Sequence, residues 1–223
     1  MSSASTQVES VAPTVKVRIG LQFEKYIGLP FWPETNEVIN ISKDVHPKLG
    51  EAKKEQALLA SLEKRGFTKK EYERMVKRSQ RPFYTIDDSD DGEGEIIIPE
   101  RVLRSFINNA SQEAPKVVPR IANKGLTFIG VRVVDGFLRT GKAKADAKSF
   151  DRFVKNAESN QRMFCSQKYI ENFLAEGTLK LDTTIIKSDD LRKLMEYGGK
   201  YYGIGSARPQ GYGRFMIAYW DMI

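Results

Sequence analysis

The sequence has 223 residues with a single cysteine and a single histidine, and 36 Lys and Arg stand against 29 Asp and Glu for a formal charge of +7. One thiol, Cys165, excludes an internal disulfide and a multi-thiolate metal site and suits a reducing compartment, so a cytoplasmic location is expected. No apolar stretch approaches the roughly 20 residues of a bilayer span, the opening MSSASTQVESVAP lacks a basic start and an apolar h-region, and the positive balance favours a polyanionic partner.

The first 14 residues are small and polar and read as a disordered tail. From Val15, VKVRIGLQF alternates apolar with polar or small residues, as a half-buried strand does. Pro30, Phe31, Trp32 and Pro33 then interrupt the pattern. Tyr26 to His46 is expected to be a loop, with one short strand at 37–41. Glu51 to Arg65 carries a helical stripe that Gly66 stops, and Thr68 with Glu71 forms a capping box that starts a second helix through Ser79. Lys53, Lys54, Lys64, Arg65, Lys69, Lys70, Arg74, Lys77, Arg78 and Arg81 make this hairpin basic. Its two readings are a solvated helical face and an arm for phosphates. Asp87, Asp88, Asp90, Asp91, Glu93 and Glu95 follow as an acidic, glycine-containing run.

A short β-branched strand at 95–98 leads through Pro99 into a helix on which Val102, Leu103, Phe106, Ile107 and Ala110 share one face. A loop with Pro115 and Pro119 follows, and then strands are expected at 126–134 and 178–186. Between those two lies an excursion, 135–177, rich in cations that include Arg139, Lys142 and Lys144. Ser188 reads as the N-cap of a helix with the buried stripe Leu191, Leu194, Met195, which Gly198 and Gly199 are expected to end. The chain closes with RFMIAYWDMI, read as a strand buried on both sides.

With the basic hairpin and the cationic excursion set aside as insertions, at about 51–95 and 135–177, the order is strand, helix, strand, strand, helix, strand. That is an α+β, ferredoxin-like plan, also met in RRM domains: four antiparallel strands with two helices on one face, here in one domain over 15–223.

The segment GGKYYGIGSARPQGYGRF holds six glycines, Gly198, Gly199, Gly203, Gly205, Gly211 and Gly213, together with Lys200, Arg208 and Arg214. Glycines allow positive φ and close approach of a ligand, cations and exposed amides suit phosphate oxygens, and Tyr201, Tyr202 and Tyr212 offer stacking faces. The same glycines also suit a tight helix-to-strand connection. No P-loop or dinucleotide fingerprint is present, since the order here is helix, loop, strand and no Lys-Ser/Thr pair follows.

The helix followed by Gly203-Ile204-Gly205, Arg208-Pro209 and Gly211-Tyr212-Gly213-Arg214-Phe215 resembles the glycine-rich loop of the RAMP superfamily, the ferredoxin-like proteins of CRISPR effector backbones and repeat-processing endoribonucleases. It is also similar to the tail of phage-encoded proteins with a Gly-x-Gly, Arg-Pro, Gly-Arg-Phe pattern. The resemblance is specific over about 188–223 and topological upstream. It implies single-stranded nucleic-acid binding, RNA before DNA, through Lys200 to Arg214. It further implies a thumb-like role for 135–177, with Arg139, Lys142 and Lys144, and head-to-tail assembly with copies of the chain or with other RAMP-like subunits. Repeat-processing relatives often use a histidine as general base. His46, in Asp44-Val45-His46-Pro47-Lys48, is the single candidate and reads as a polar surface residue. A non-catalytic role with no cofactor is therefore expected. The alternatives are a metal-independent endoribonuclease and a phage-encoded structural or protein-interaction protein. The acidic run lacks the ligand spacing of a calcium loop, and Cys165, without a histidine beside it, reads as a small buried hydrophobe.

Overall fold

The computed structural model describes residues 13–28, 34–86, 94–113, 127–155 and 162–223. The N-terminal tail through residue 12, most of the acidic run, the loop with Pro115 and Pro119, and the Cys165 side chain lie outside the described residues. The chain divides into two compact units, one of 1–26, 98–141 and 171–223, the other of 27–97 and 142–170.

The first unit is the ferredoxin-like one. Its elements are β1 (Thr14–Tyr26), α4 (Glu100–Glu113), β4 (Val131–Val133), β5 (Phe137–Ala143), the end of β7 (Arg162–Asp182), α5 (Ser188–Tyr201) and β8 (Phe215–Met222). The strands lie in the order β5, β7, β1, β8, with β4 also on β7. Counting β4 and β5 together as the second core strand, the fourth strand sits beside the first and the first beside the third, the arrangement of a split βαβ pair. Antiparallel register sets Val131 opposite Leu181, Arg139 opposite Glu176 and Phe23 opposite Phe215.

Alternation along β1 decides the faces. Val17, Ile19, Leu21 and Phe23 are fully buried, whereas Lys16, Arg18, Gln22 and Glu24 are exposed on the other side. Leu103, Phe106, Ile107 and Ala110 of α4 and Leu191, Leu194 and Met195 of α5 are buried as well, and the two helices pack on each other. Phe23 stacks on Phe173 with ring centroids 4.9 Å apart, and Phe106 meets Phe215 edge-on at 5.3 Å. Each such side chain contributes about 1.5–3 kcal/mol by leaving water.

The second unit holds α1 (Glu34–Asp44), α2 (Glu51–Arg65), α3 (Lys69–Ser79), β2 (Tyr84–Thr85), most of β3 (Glu95–Pro99), β6 (Lys148–Lys155) and the start of β7. The three helices close on Ile41, Leu62 and Met75, with Val38, Leu58, Phe67 and Tyr72 packed around them. Thr68 and Glu71 form the expected capping box, and Gly66 ends α2 at φ 75°. Asp44 accepts the Ser61 hydroxyl at 2.6 Å and the Arg65 guanidinium at 3.1 Å, and these two hold its carboxyl below the usual range. Strands β6 and β7 form a hairpin from Lys148 opposite Tyr169 to Lys155 opposite Arg162.

Several local expectations are corrected. Residues 37–41 are helix rather than strand, because Val38 and Ile41 fall on one face of α1 and are held by α2 and α3. Among the described residues of the expected 126–134 strand, 131–133 alone are extended. Of the expected 178–186 strand, 178–182 are the end of β7 and 183–185 are a turn; β7 is a 21-residue strand whose start, with β5 and β6, fills most of the 135–177 excursion. Gly198 and Gly199 do not end α5 but lie buried inside it. Ser188 is not an N-cap; its hydroxyl accepts the Trp220 indole N–H at 2.9 Å. Strand β8 is not buried on both sides, since Met216 and Met222 are 70% and 65% exposed.

Candidate nucleic-acid interface

Helix α5 reaches the sheet through its glycines. A Cβ on Gly198 would lie 2.6 Å from the Phe106 ring, and one on Gly199 would lie 2.7 Å from the Phe215 carbonyl oxygen. Bare backbone at these two positions lets the helix sit directly on α4 and β8. Tyr202 and Gly203 then close the helix by donating to the Gly198 carbonyl at 2.8 and 2.9 Å.

The loop that follows is fixed by its own hydrogen bonds. The Ile204 amide donates to the Gly213 carbonyl at 2.8 Å, and the Gly213 amide donates to the carbonyl of Lys25 at the end of β1 at 2.7 Å. Gln210 and Gly211 donate to Ala207 and Arg208 across a 3-10 turn, Arg208–Gln210. Gly203, Gly205, Gly211 and Gly213 all have positive φ, as does Ala207 at 55°. The expected use of the loop amides as phosphate donors therefore fails at 203, 204, 210, 211 and 213, where the amides hold the turn together.

What the loop offers outward is side chains. Arg208 and Arg214 are exposed, and neither forms an ion pair among the described residues. Tyr201 is 56% exposed. Its ring lies 5.0 Å from that of Tyr197 and carries the Lys200 ammonium 5.1 Å from its centroid. The Tyr202 ring lies 6.1 Å from that of Tyr197. Lys200 and Arg214 line a cleft of about 650 Å³ together with Gln22, Glu24, Glu196 and Met216. Of the carboxylates there, Glu196 is tied to Arg192 at 3.1 Å. Lys200 and Arg214 thus share one cleft, with the Tyr201 ring beside Lys200 and Arg208 exposed in the same loop; side chains of these types grip phosphates and stack bases.

The remaining expected positions fall elsewhere. Arg139 is on β5 opposite Glu176, on the sheet face away from the helices. Lys142 and Lys144 belong to the second unit, not to the one that carries the loop. The basic hairpin is partly neutralised, Lys54 by Glu51, Lys69 by Glu55, and Arg65 by Asp44 and Glu37. His46 is exposed between α1 and α2, with its Nδ1 accepting the Lys48 amide at 3.2 Å.

The polar row of β1 carries a further set of contacts, outside the residues expected to form the site. Arg18 pairs with Asp221 at 3.2 Å and lies 5.7 Å from the Tyr219 ring centroid. The Tyr219 hydroxyl donates to Glu176 at 2.6 Å. The alternation of Lys16, Arg18, Gln22 and Glu24 with the buried residues was the signal that this face is polar. Burial first, and then the bond to Glu176, push the Tyr219 phenol up to about 12.

No family model matches the sequence, and no curated protein matches it either. Among solved structures, the fold is similar to a chain in the cryo-EM structure of the Type III-B Cmr-beta bound to cognate target RNA, at 10% identity and a TM-score of 0.50. The alignment covers 94% of this chain and 61% of that one. The likeness establishes a fold shared with a chain of that assembly.

Proposed function

We propose that this protein is a non-catalytic, RAMP-type binder of single-stranded nucleic acid, RNA before DNA, that assembles along the strand with copies of itself or with other RAMP-like subunits. The observation that supports this reading is the exposure of Lys200 and Tyr201 at the end of α5 and of Arg208 and Arg214 in the self-bonded glycine loop that follows. Arginines without a carboxylate partner are suited to phosphate, and a tyrosine face accepts any base. The preference for RNA is supported by the fold shared with a chain of a structure bound to cognate target RNA.

The test is filter binding of a 5′-hydroxyl strand of about 30 nucleotides, as RNA and as DNA. If three cations engage phosphates, log Kobs should fall with log salt at a slope of about −2. Arg208→Ala with Arg214→Ala should weaken binding by about tenfold or more and flatten that slope. Unchanged affinity in the double variant refutes the assignment of the site, and cleavage of the RNA in EDTA replaces binding with metal-independent ribonuclease activity.

A further inference from the structure

We propose that the second unit carries a separate binding site for a phosphorylated nucleotide. The site is a cleft of about 870 Å³ lined by segments from both 27–97 and 142–170. Arg81, Lys144 and Lys168 line it, and no carboxylate does. Arg81 is only 8% exposed. The Lys168 ammonium donates to the neutral Ser149 hydroxyl at 2.6 Å, so that contact leaves its charge uncompensated. A lining with three cations and no carboxylate favours an anion in the cleft.

Size and lining narrow the anion. A phosphate alone fills a small part of such a volume, which lies in the range of small-ligand sites. Ile27 and Pro82 add apolar wall suited to a base or sugar. Gln167, also in the lining, has its Oε1 buried with no hydrogen-bond partner among the described residues. An amine or hydroxyl of a nucleoside would satisfy that acceptor, whereas inorganic phosphate has no group for the apolar wall. The ligand is therefore a phosphate with its nucleoside, and it can come from a free nucleotide or from the 5′ end of a strand. The site is independent of the glycine loop.

The experiment uses the full chain. AMP is titrated by calorimetry, and hexanucleotides labelled at the 3′ end, with a 5′-phosphate or a 5′-hydroxyl, are titrated by fluorescence anisotropy. The expected result is AMP binding or a 5′-phosphate preference of about tenfold, the effect of one or two charge-assisted hydrogen bonds. Either effect should fall by about tenfold in Lys144→Gln with Lys168→Gln. Both lysines are exposed, so the fold should survive, and a thermal melt checks this. Arg81→Gln is the second variant. AMP binding assigns a free nucleotide; a 5′-phosphate preference without it assigns a strand end. Absence of both effects, or their survival in the lysine double variant, overturns the site. Binding of the longer 5′-hydroxyl strand reports on the glycine loop, so failure of either proposal is distinguishable from failure of the other.

Discussion

Gly213→Ala and Gly211→Ala place the same methyl group at nearly the same backbone angle in two different surroundings. The φ angles are 75° and 87°, and an L-residue in the left-handed region costs about 1–2 kcal/mol at either position. At Gly211 nothing lies within 4 Å of the new Cβ, so that cost is the whole expected effect. At Gly213 the Cβ is driven into the Ile204 carbonyl, a backbone atom that cannot rotate away. Relief of the clash pulls apart the hydrogen bonds from Ile204 to Gly213 and from Gly213 to Lys25, at 2.8 and 2.7 Å. Two lost bonds of about 1 kcal/mol each bring the total for Gly213→Ala to roughly 3–4 kcal/mol. Urea denaturation of both variants against the parent measures the difference. Equal destabilisation would refute the account of the loop as a self-bonded turn. The folded Gly211→Ala protein also tests contact: if a strand approaches the backbone there, affinity falls with little loss of stability.

Tyr219→Phe removes the hydroxyl from Glu176 and should cost about 1 kcal/mol at neutral pH by denaturant titration. Because the folded phenol titrates above its ordinary value of 10.0, at about 12, the stability linked to it is fully present below about pH 10 and is lost as pH rises toward 12; the Phe variant should lack this loss. At the start of α4, Glu100 accepts the Val133 amide and the Arg132 guanidinium, both at 2.9 Å. Burial pushes its carboxyl up, but these two outweigh burial and hold it below its ordinary 4.5. Its stabilising contribution is thus complete above that value and disappears as pH falls through the lower, folded one. Glu100→Gln should cost about 1–3 kcal/mol at neutral pH and weaken the acid dependence of the melt.

The fold class was legible because the first strand and the two core helices carry clear periodicity. Val17, Ile19, Leu21 and Phe23 alternate, and Leu103, Phe106, Ile107 and Ala110 recur at helical spacing. Errors arose where packing overruled a local cue. Val38, Ile39 and Ile41 are β-branched residues or their apolar neighbours and favour a strand in isolation, yet α2 and α3 supply a surface that fits Val38 and Ile41 as a helix. Gly198-Gly199 has the composition of a helix stop, but Phe106 and Phe215 need the space that side chains would fill. Ser188 suits a cap by type and is claimed by Trp220, 32 residues away. The loop's cations could be picked out by composition. That its amides close the turn could not, since the Gly213 amide, which ties the loop to β1, finds its acceptor at Lys25, nearly the whole chain length away in sequence.

The Tyr219 ring occupies the space above Gly20, where a Cβ would collide with its ring carbons, and its hydroxyl reaches past β1 to Glu176 on β7. Position 20 is thereby bound to a residue 199 places downstream rather than to its own neighbours. As the sequence drifts, a side chain larger than hydrogen can settle at 20 only after the aromatic ring at 219 has gone, and loss of that ring leaves the acid at 176 without its donor. These three positions should therefore change as a set, and a lone substitution at 20 should be rescued by shortening residue 219.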